Sequence, residues 1–197
     1  YRDYMLNLVQ GDFGPSFRYP GRSVTEMIFT GLPVTFELAF YAIIVAMIIG
    51  SLAGVIAAVK RNTLLDYVPM TIAMIGICMP TFLLGPLLVL YFGIYLEALP
   101  VSGWDSLPGD KILPSITLGA AYAAYIARLS RGGMLETLSQ DYIRTATAKG
   151  LSYYKVITKH VLKNALNPVL TAISGWLASL MAGAFFVEYI FSWKGIG

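Results

Sequence analysis

Residues 67–96 read YVPMTIAMIGICMPTFLLGPLLVLYFGIYL, without a single charged side chain. As one helix this stretch would be roughly 45 Å long, well over the ~30 Å hydrocarbon core of a bilayer. It reads as a membrane span whose excess length goes into tilt, kinks or protruding ends. Pro80 and Pro86 are its natural kink points. Three further apolar stretches flank it. Residues 34–59 carry one charge, Glu37, and stop at Lys60-Arg61; residues 112–129 are rich in Ala, Gly and Tyr; residues 169–190 hold Glu188 near their end. Each is long enough to cross a bilayer, so the expected fold class is all-α, a polytopic helical membrane protein with four visible spans.

Composition points the same way. Of 197 residues, 57% are hydrophobic and only 13% are charged, about half the ~25% of a soluble domain. Mean hydropathy is +0.68. Too few charges exist to cover a watery surface, and the apolar content is far too high for disorder. An outer-membrane barrel would show short alternating strands, whereas these apolar runs are continuous. The single cysteine, Cys78, excludes an internal disulfide framework and a cysteine-based zinc site, and the single histidine, His160, excludes a multi-histidine metal site.

The expected organisation is a segment over residues 1–32, rich in aromatics, Gly and Pro, followed by a membrane domain over 33–197. Ser23 and Glu26 have the spacing of a capping box for a short helix over 23–29. Polar connections fall at 60–66, 97–111 and 130–168. Four crossings put the first and third of these on one side. Together with Arg128 they hold Lys60, Arg61, Arg128, Arg131, Arg144, Lys149, Lys155, Lys159 and Lys163, nine of the fourteen basic residues. The positive-inside rule then places 130–168 in the cytoplasm and 1–32 outside. The chain opens on Tyr1 rather than Met and ends at Gly197, and an external start without a signal peptide leads to the expectation of a further span upstream.

Gly50 and Gly54 form one four-residue pair of small side chains, and Gly175, Ser179 and Gly183 a longer row. Such spacing lets another backbone approach closely, either within this chain or from a partner around a pathway.

The 130–168 connection is not loop-like. Leu135, Leu138, Tyr142 and Ala146 follow a helical face, Ser139 is placed to cap a helix starting near Gln140, and Gly150 is a natural stop. Ser152 then caps a second, amphipathic helix with a basic stripe at Lys155, Lys159 and Lys163, a pattern that topology control and lipid headgroup contact also explain. A short helix, a glycine turn and an amphipathic helix between two spans suit the docking of a soluble partner.

The stretch DYIRTATAKGL over 141–151, followed by HVLKNALNP over 160–168, resembles the EAA loop of binding-protein-dependent ABC importer permeases, and more narrowly their dipeptide and oligopeptide branch. Where the general pattern reads Glu-Ala-Ala, three residues, then Gly, this chain has Arg144-Thr145-Ala146 and then Gly150, the peptide-branch variant. GDFGPS over 11–16 resembles the external segment after the first span of a B-type oligopeptide permease. ARLSRGGMLE over 127–136 resembles the end of the span before the EAA loop. EYIFSWKGIG over 188–197 resembles the family's Glu…Phe-Ser-x-Pro-Gly-x-Gly segment, with Lys194 in the usual place of Pro.

The resemblance implies a type I ABC importer permease bundle of about six spans, with the first and last absent from these residues. It implies a permease subunit that moves oligopeptides or dipeptides across the bacterial inner membrane by alternating access. Its partners would be a second homologous permease, two cytoplasmic ATPase subunits that bind ATP and Mg, and an external substrate-binding protein. Residues Arg144, Thr145, Ala146, Ala148, Lys149 and Gly150 would form the ATPase-coupling helix and turn. No cofactor is expected in this chain, and no nucleic acid. No Walker A pattern is present, so ATP hydrolysis is expected on the partners.

Glu37 and Glu188 are candidate gate residues, since carboxylates in or near spans are functional candidates by default; interfacial snorkelling or pairing with Lys111 or Lys194 is the alternative. Tyr122 and Tyr125 are candidate pathway residues. Rival readings are a permease for nickel or glutathione, a channel, and a membrane anchor subunit. A channel needs a filter or charged ring, and an enzyme needs paired polar groups within the spans.

Overall fold

The computed structural model describes residues 2–197; Tyr1, the first residue of the expected 1–32 segment, lies outside them. The described residues form helices linked by turns and loops, with one isolated β-bridge between Pro15 and Ser23. The elements are α1 (Arg2–Val9), α2 (Val24–Val59), α3 (Leu64–Cys78), α4 (Thr81–Leu88) continued by a π-helical stretch Val89–Tyr95, and α5 (Ile112–Leu138). They continue with α6 (Asp141–Ala148), α7 (Tyr153–Val156), a π-helical stretch Ile157–Val161, α8 (Leu162–Ala165) and α9 (Asn167–Ile190). Three helical stretches are long and apolar enough to cross a membrane, and the bent α3–α4 pair makes a fourth if it counts as one span.

The first span is longer than expected. Ser23 caps it in an extended conformation, Glu26 lies in its first turn, and Pro33 sits inside it. A boundary at 32/33 therefore falls within one helix. Proline removes one ladder hydrogen bond, yet the helix continues because its flank is packed: a Cβ at Gly31 would lie 2.7 Å from the Gly195 carbonyl oxygen. α1 was not legible in the polar sequence of residues 2–9.

The second span is broken rather than kinked. α3 and α4 meet at 113° across Met79 and Pro80. Pro80 has no N–H to continue α3 and instead caps α4 with an extended backbone. Pro86 is carried inside α4, and the next turn widens into the π-helical stretch. The third span, α5, runs on through residues 130–138, so the expected single face of Leu135, Leu138, Tyr142 and Ala146 is divided between two helices. Ser139 closes α5, donating its hydroxyl to the Glu136 carbonyl oxygen at 2.7 Å, and Gln140 is the cap of α6. α9 starts at Asn167 with Pro168 in its first turn, where a missing N–H costs nothing.

α2 and α5 form the centre. A Cβ at Gly50 would sit 2.5 Å from the Ala123 carbonyl oxygen, and one at Gly119 2.6 Å from that of Ala42; one at Gly54 would collide with Ala127 and Ser130. The Gly50/Gly54 pair therefore serves packing inside this chain. Lipid tails are as apolar as leucine, so close backbone contact and dispersion hold such helices together. By contrast nothing lies within 4 Å of a Cβ at Gly175, and only Leu118 approaches Gly183. Large apolar side chains such as Ile48, Leu52, Ile72, Ile75, Leu83 and Leu90 point outward, the inverse of a water-soluble surface.

Buried clusters run along the bundle. Leu38, Leu118, Leu180, Val187, Phe191 and Trp193 fill one end, capped by residues 97–111, which we call the strap. Ala46, Ala123, Ile126 and Val169 lie in the middle. Ala58, Met134, Ile143, Ala146, Val161 and Ala165 fill the other end, where the 60–66 and 130–168 connections lie; we call this the basic end.

Candidate functional site

At the basic end the chain builds a platform for α6. α8 is pressed on α5, because a Cβ at Gly133 would collide with the Ala165 carbonyl. α6 lays Ile143 and Ala146 into the cluster formed by α2, α5, α7 and α8. Spaced by three, these two apolar residues fix which face of α6 is inward. The outward face carries Asp141, Tyr142, Arg144, Thr145, Thr147 and Ala148, followed by exposed Lys149 and Gly150. This corrects one expectation. Ala146 is buried and is an anchor of α6, whereas Arg144, Thr145, Ala148, Lys149 and Gly150 are available to a partner.

The turn after α6 has the geometry expected of it. Gly150 takes φ +78°, and nothing lies within 4 Å of a Cβ there. Only backbone conformation, not space, selects glycine. Ser152 then starts α7 with an extended backbone, without a side-chain cap bond. Tyr142 on α6 accepts a hydrogen bond from the Asn164 side-chain amide at 2.9 Å, joining the two arms of the turn. Lys155, Lys159 and Lys163 lie on the exposed side of the second arm, and His160 is half-buried.

An ion pair between the partly exposed Arg131 and the buried Asp66 locks this platform to the broken span. Arg131 Nε donates to Asp66 Oδ1 at 2.6 Å and Nη2 to Oδ2 at 2.8 Å, while the Asn62 N–H donates to Oδ2 at 3.0 Å. Asn62 turns with φ +62° to reach it. The Asp66 side chain is 2% exposed. Sequence reasoning missed this pair; its members are 65 residues apart. The available signal was that Asp66 is the only acid of the 60–66 connection.

Beside the break between α3 and α4 lies a cavity of about 570 Å³. Ile77 and Thr81 flank it from the break, Tyr122 and Tyr125 from α5, and Trp176, Ser179 and Gly183 from α9. The Tyr122 hydroxyl donates to Ser179 Oγ at 3.0 Å. Trp176 stands with its ring 5.5 Å from that of Tyr122 and 6.0 Å from that of Tyr125. Among the described residues the lining holds no charged side chain, so it offers aromatic faces and hydroxyls. The structure thus brings Tyr122 and Tyr125 together with Trp176, which sequence reasoning missed; nothing local links positions on two helices.

Glu37 and Glu188 are not at this cavity. Glu188 is 2% exposed and turned into its own chain. Its Oε1 accepts from the Thr35 hydroxyl, its Oε2 from the Gly197 N–H at 2.8 Å, and its carbonyl from the Trp193 N–H at 2.8 Å. The Ile196 N–H donates to Thr35 Oγ1 at 3.0 Å. A Cβ at Gly195 would collide with the Glu188 carboxylate, which explains glycine there. Glu188 therefore fastens residues 193–197 to α2 and is not a group lining the cavity.

Glu37 pairs with Lys111. The ammonium lies 2.6 Å from Glu37 Oε1 and 2.6 Å from Asp105 Oδ1, and 4.7 Å from the centre of the Trp104 ring. The hydrogen bonds that the ammonium donates to Asp105 and then to Glu37 hold the Lys111 pKa well above the usual lysine range. This stabilisation is fully present below the ordinary lysine pKa and is lost only as pH rises through the raised one. The ammonium thus stays charged throughout the physiological range.

The family described as "Binding-protein-dependent transport system inner membrane component" matches residues 50–197. The dipeptide transport system permease protein DppB of Bacillus subtilis is 46% identical over 197 residues, all of this chain and 64% of that protein. The oligopeptide transport system permease proteins OppB of Haemophilus influenzae and Escherichia coli K12 are 42% and 43% identical over the whole chain, which spans 66% and 65% of their lengths. The chain thus spans just under two thirds of these relatives. A crystal structure of an amino acid ABC transporter with histidines superposes with a TM-score of 0.65, at 16% identity, over 87% of this chain and 75% of that one. It shows a shared fold.

Proposed function

Because this chain belongs to the family of binding-protein-dependent transport system inner membrane components, we propose that it is a permease subunit of an ATP-driven importer of dipeptides or oligopeptides. The observation that carries the reading is the build of the basic end. A short helix is held by Ile143 and Ala146 on a platform braced by the Arg131–Asp66 pair, and its polar face is left free beside a glycine turn. A partner seated on Arg144, Thr145 and Ala148 would move the platform as a body, and with it α5 and the broken span that border the cavity.

The basic end is the cytoplasmic one. Nine of the fourteen basic residues lie there, including Lys60, Arg61 and Arg128 at or near span ends, as the positive-inside rule requires. Its partners are two cytoplasmic ATPase subunits, which hold ATP and Mg, and a second homologous permease completes the bundle. A substrate-binding protein delivers the peptide at the strap end. Similarity to DppB and OppB supports peptides over nickel or glutathione. The uncharged cavity suits solutes that differ widely in side chain, since aromatic faces and hydroxyls can meet any peptide backbone.

The test is uptake by the full-length subunit reconstituted in liposomes with its partners. Labelled di- and oligopeptides should accumulate only with ATP and the binding protein both present. Uptake that persists without any ATPase subunit would instead establish a channel.

A further inference from the structure

The two segments that meet at the strap end are held in different ways. Residues 191–197 are fastened by buried bonds through Glu188 and Thr35. The strap is shaped mainly by itself: Asp110, 4% exposed, accepts the N–H groups of Ser106 at 2.9 Å and Leu107 at 3.3 Å. Glu97, Gly103, Asp105 and Gly109 all take positive φ, so its path is set residue by residue. Its first residues are tied to the π-helical stretch, where the Ala98 and Leu99 N–H groups donate to the Phe92 carbonyl at 2.9 and 3.3 Å, and its middle meets the fastened segment. Trp104 meets Trp193 edge-on with ring centres 4.3 Å apart, and the Gly103 N–H donates to the Phe191 carbonyl at 3.2 Å. Asp105, with its side chain 62% exposed, reaches Lys111 at the start of α5.

We propose that residues 102–110 of the strap form a preshaped cover that lifts as a unit from a fixed seat at Phe191–Trp193, with the ion pair from Asp105 to Lys111, which stays at the foot of α5, as its clasp. Three features point to lifting. The clasp lies in reach of water, where ion pairs are weak and screened by salt. Lys111 keeps Glu37 as a partner when Asp105 leaves, so release strands no buried charge. Beneath Trp104, the buried Trp193 indole N–H has no acceptor among the described residues, so the closed position carries a cost that opening to water removes. The use of this motion in transport, to open the strap end to solute, rests on the importer reading above.

Amide hydrogen exchange on the assembled complex with the full-length subunit tests this. Without nucleotide, Asp105→Asn should speed exchange at the Gly103 amide by about two- to fivefold, while the Ser106 and Leu107 amides stay as in wild type. Raising salt from 50 to 500 mM should speed Gly103 exchange in wild type and not in the variant. Unchanged Gly103 exchange would overturn the clasp; equal acceleration at all three amides would overturn lifting as a unit. Trapping with ATP and orthovanadate should deprotect Gly103 alone, and no deprotection in a trapped complex would overturn the role in transport. A complex that hydrolyses no ATP would count against the importer reading, and the nucleotide-free comparison would still decide the cover.

Discussion

Arg131→Ala is expected to destabilise the folded subunit by about 2–3 kcal/mol, the cost of leaving the buried Asp66 carboxylate without its partly exposed guanidinium partner. The Asp66 side chain is 2% exposed and receives two guanidinium N–H bonds and one backbone N–H. Without Arg131, the carboxylate either stays charged in a low-dielectric site or takes up a proton, and both are costly. The damage spreads because the pair joins the first turn of α3 to α5, just below the platform that carries α6. The thermal midpoint of the solubilised full-length protein should fall by on the order of 10 °C. Replacing both residues, as Asp66→Asn with Arg131→Met, removes the stranded charge and should recover most of the loss. A single variant as stable as wild type would show that water reaches Asp66 freely.

Gly150→Val is expected to abolish peptide uptake, by tenfold or more, while the protein still inserts and ATP is still hydrolysed. The backbone at Gly150 is left-handed at φ +78° with open space around it. The substitution therefore makes no clash and acts only through the turn. A residue with a Cβ pays about 1–2 kcal/mol in this conformation, and a β-branched one more. The chain relieves the strain by changing the angle between α6 and α7, which tilts the outward face carrying Arg144, Thr145 and Ala148. Asparagine tolerates the left-handed region, so Gly150→Asn should keep most of the uptake. Equal uptake by Gly150→Val and wild type would remove the turn from the mechanism.

The four apolar stretches were legible in the sequence because lipid demands long apolar helices, and composition alone reveals them. The break at Met79–Pro80 was legible as a kink and not as a 113° bend, since proline marks where a helix fails but packing of α4 against α5 and α9 sets the angle. That one helix runs across residues 32 and 33 was not legible for the same reason: Pro33 is carried by contact between α2 and the backbone at Gly195. At the basic end, the regular spacing from Leu135 to Ala146 suggested one face, yet it crosses the Ser139–Gln140 junction. The stronger signal was the local pair Ile143 and Ala146, which names the buried side of α6. The carboxylates show the limit most plainly. Glu37 and Glu188 are conspicuous in apolar sequence, but their partners Lys111 and Thr35 lie 74 and 153 residues away, beyond any local pattern. Trp176 faces Tyr122 and Tyr125 across two helices, and no spacing rule links them.

The central claim is that the outward face of α6 receives an ATPase subunit. In a Cys78→Ser background, a cysteine in place of Thr145 should cross-link to a cysteine in the docking groove of the ATPase, with a yield that changes when ATP is added. A cysteine in place of the buried Ile143 should not. If Arg144, Thr145 and Ala148 positions all fail to cross-link in an assembled, transport-active complex, the ATPase docks elsewhere and the account is contradicted.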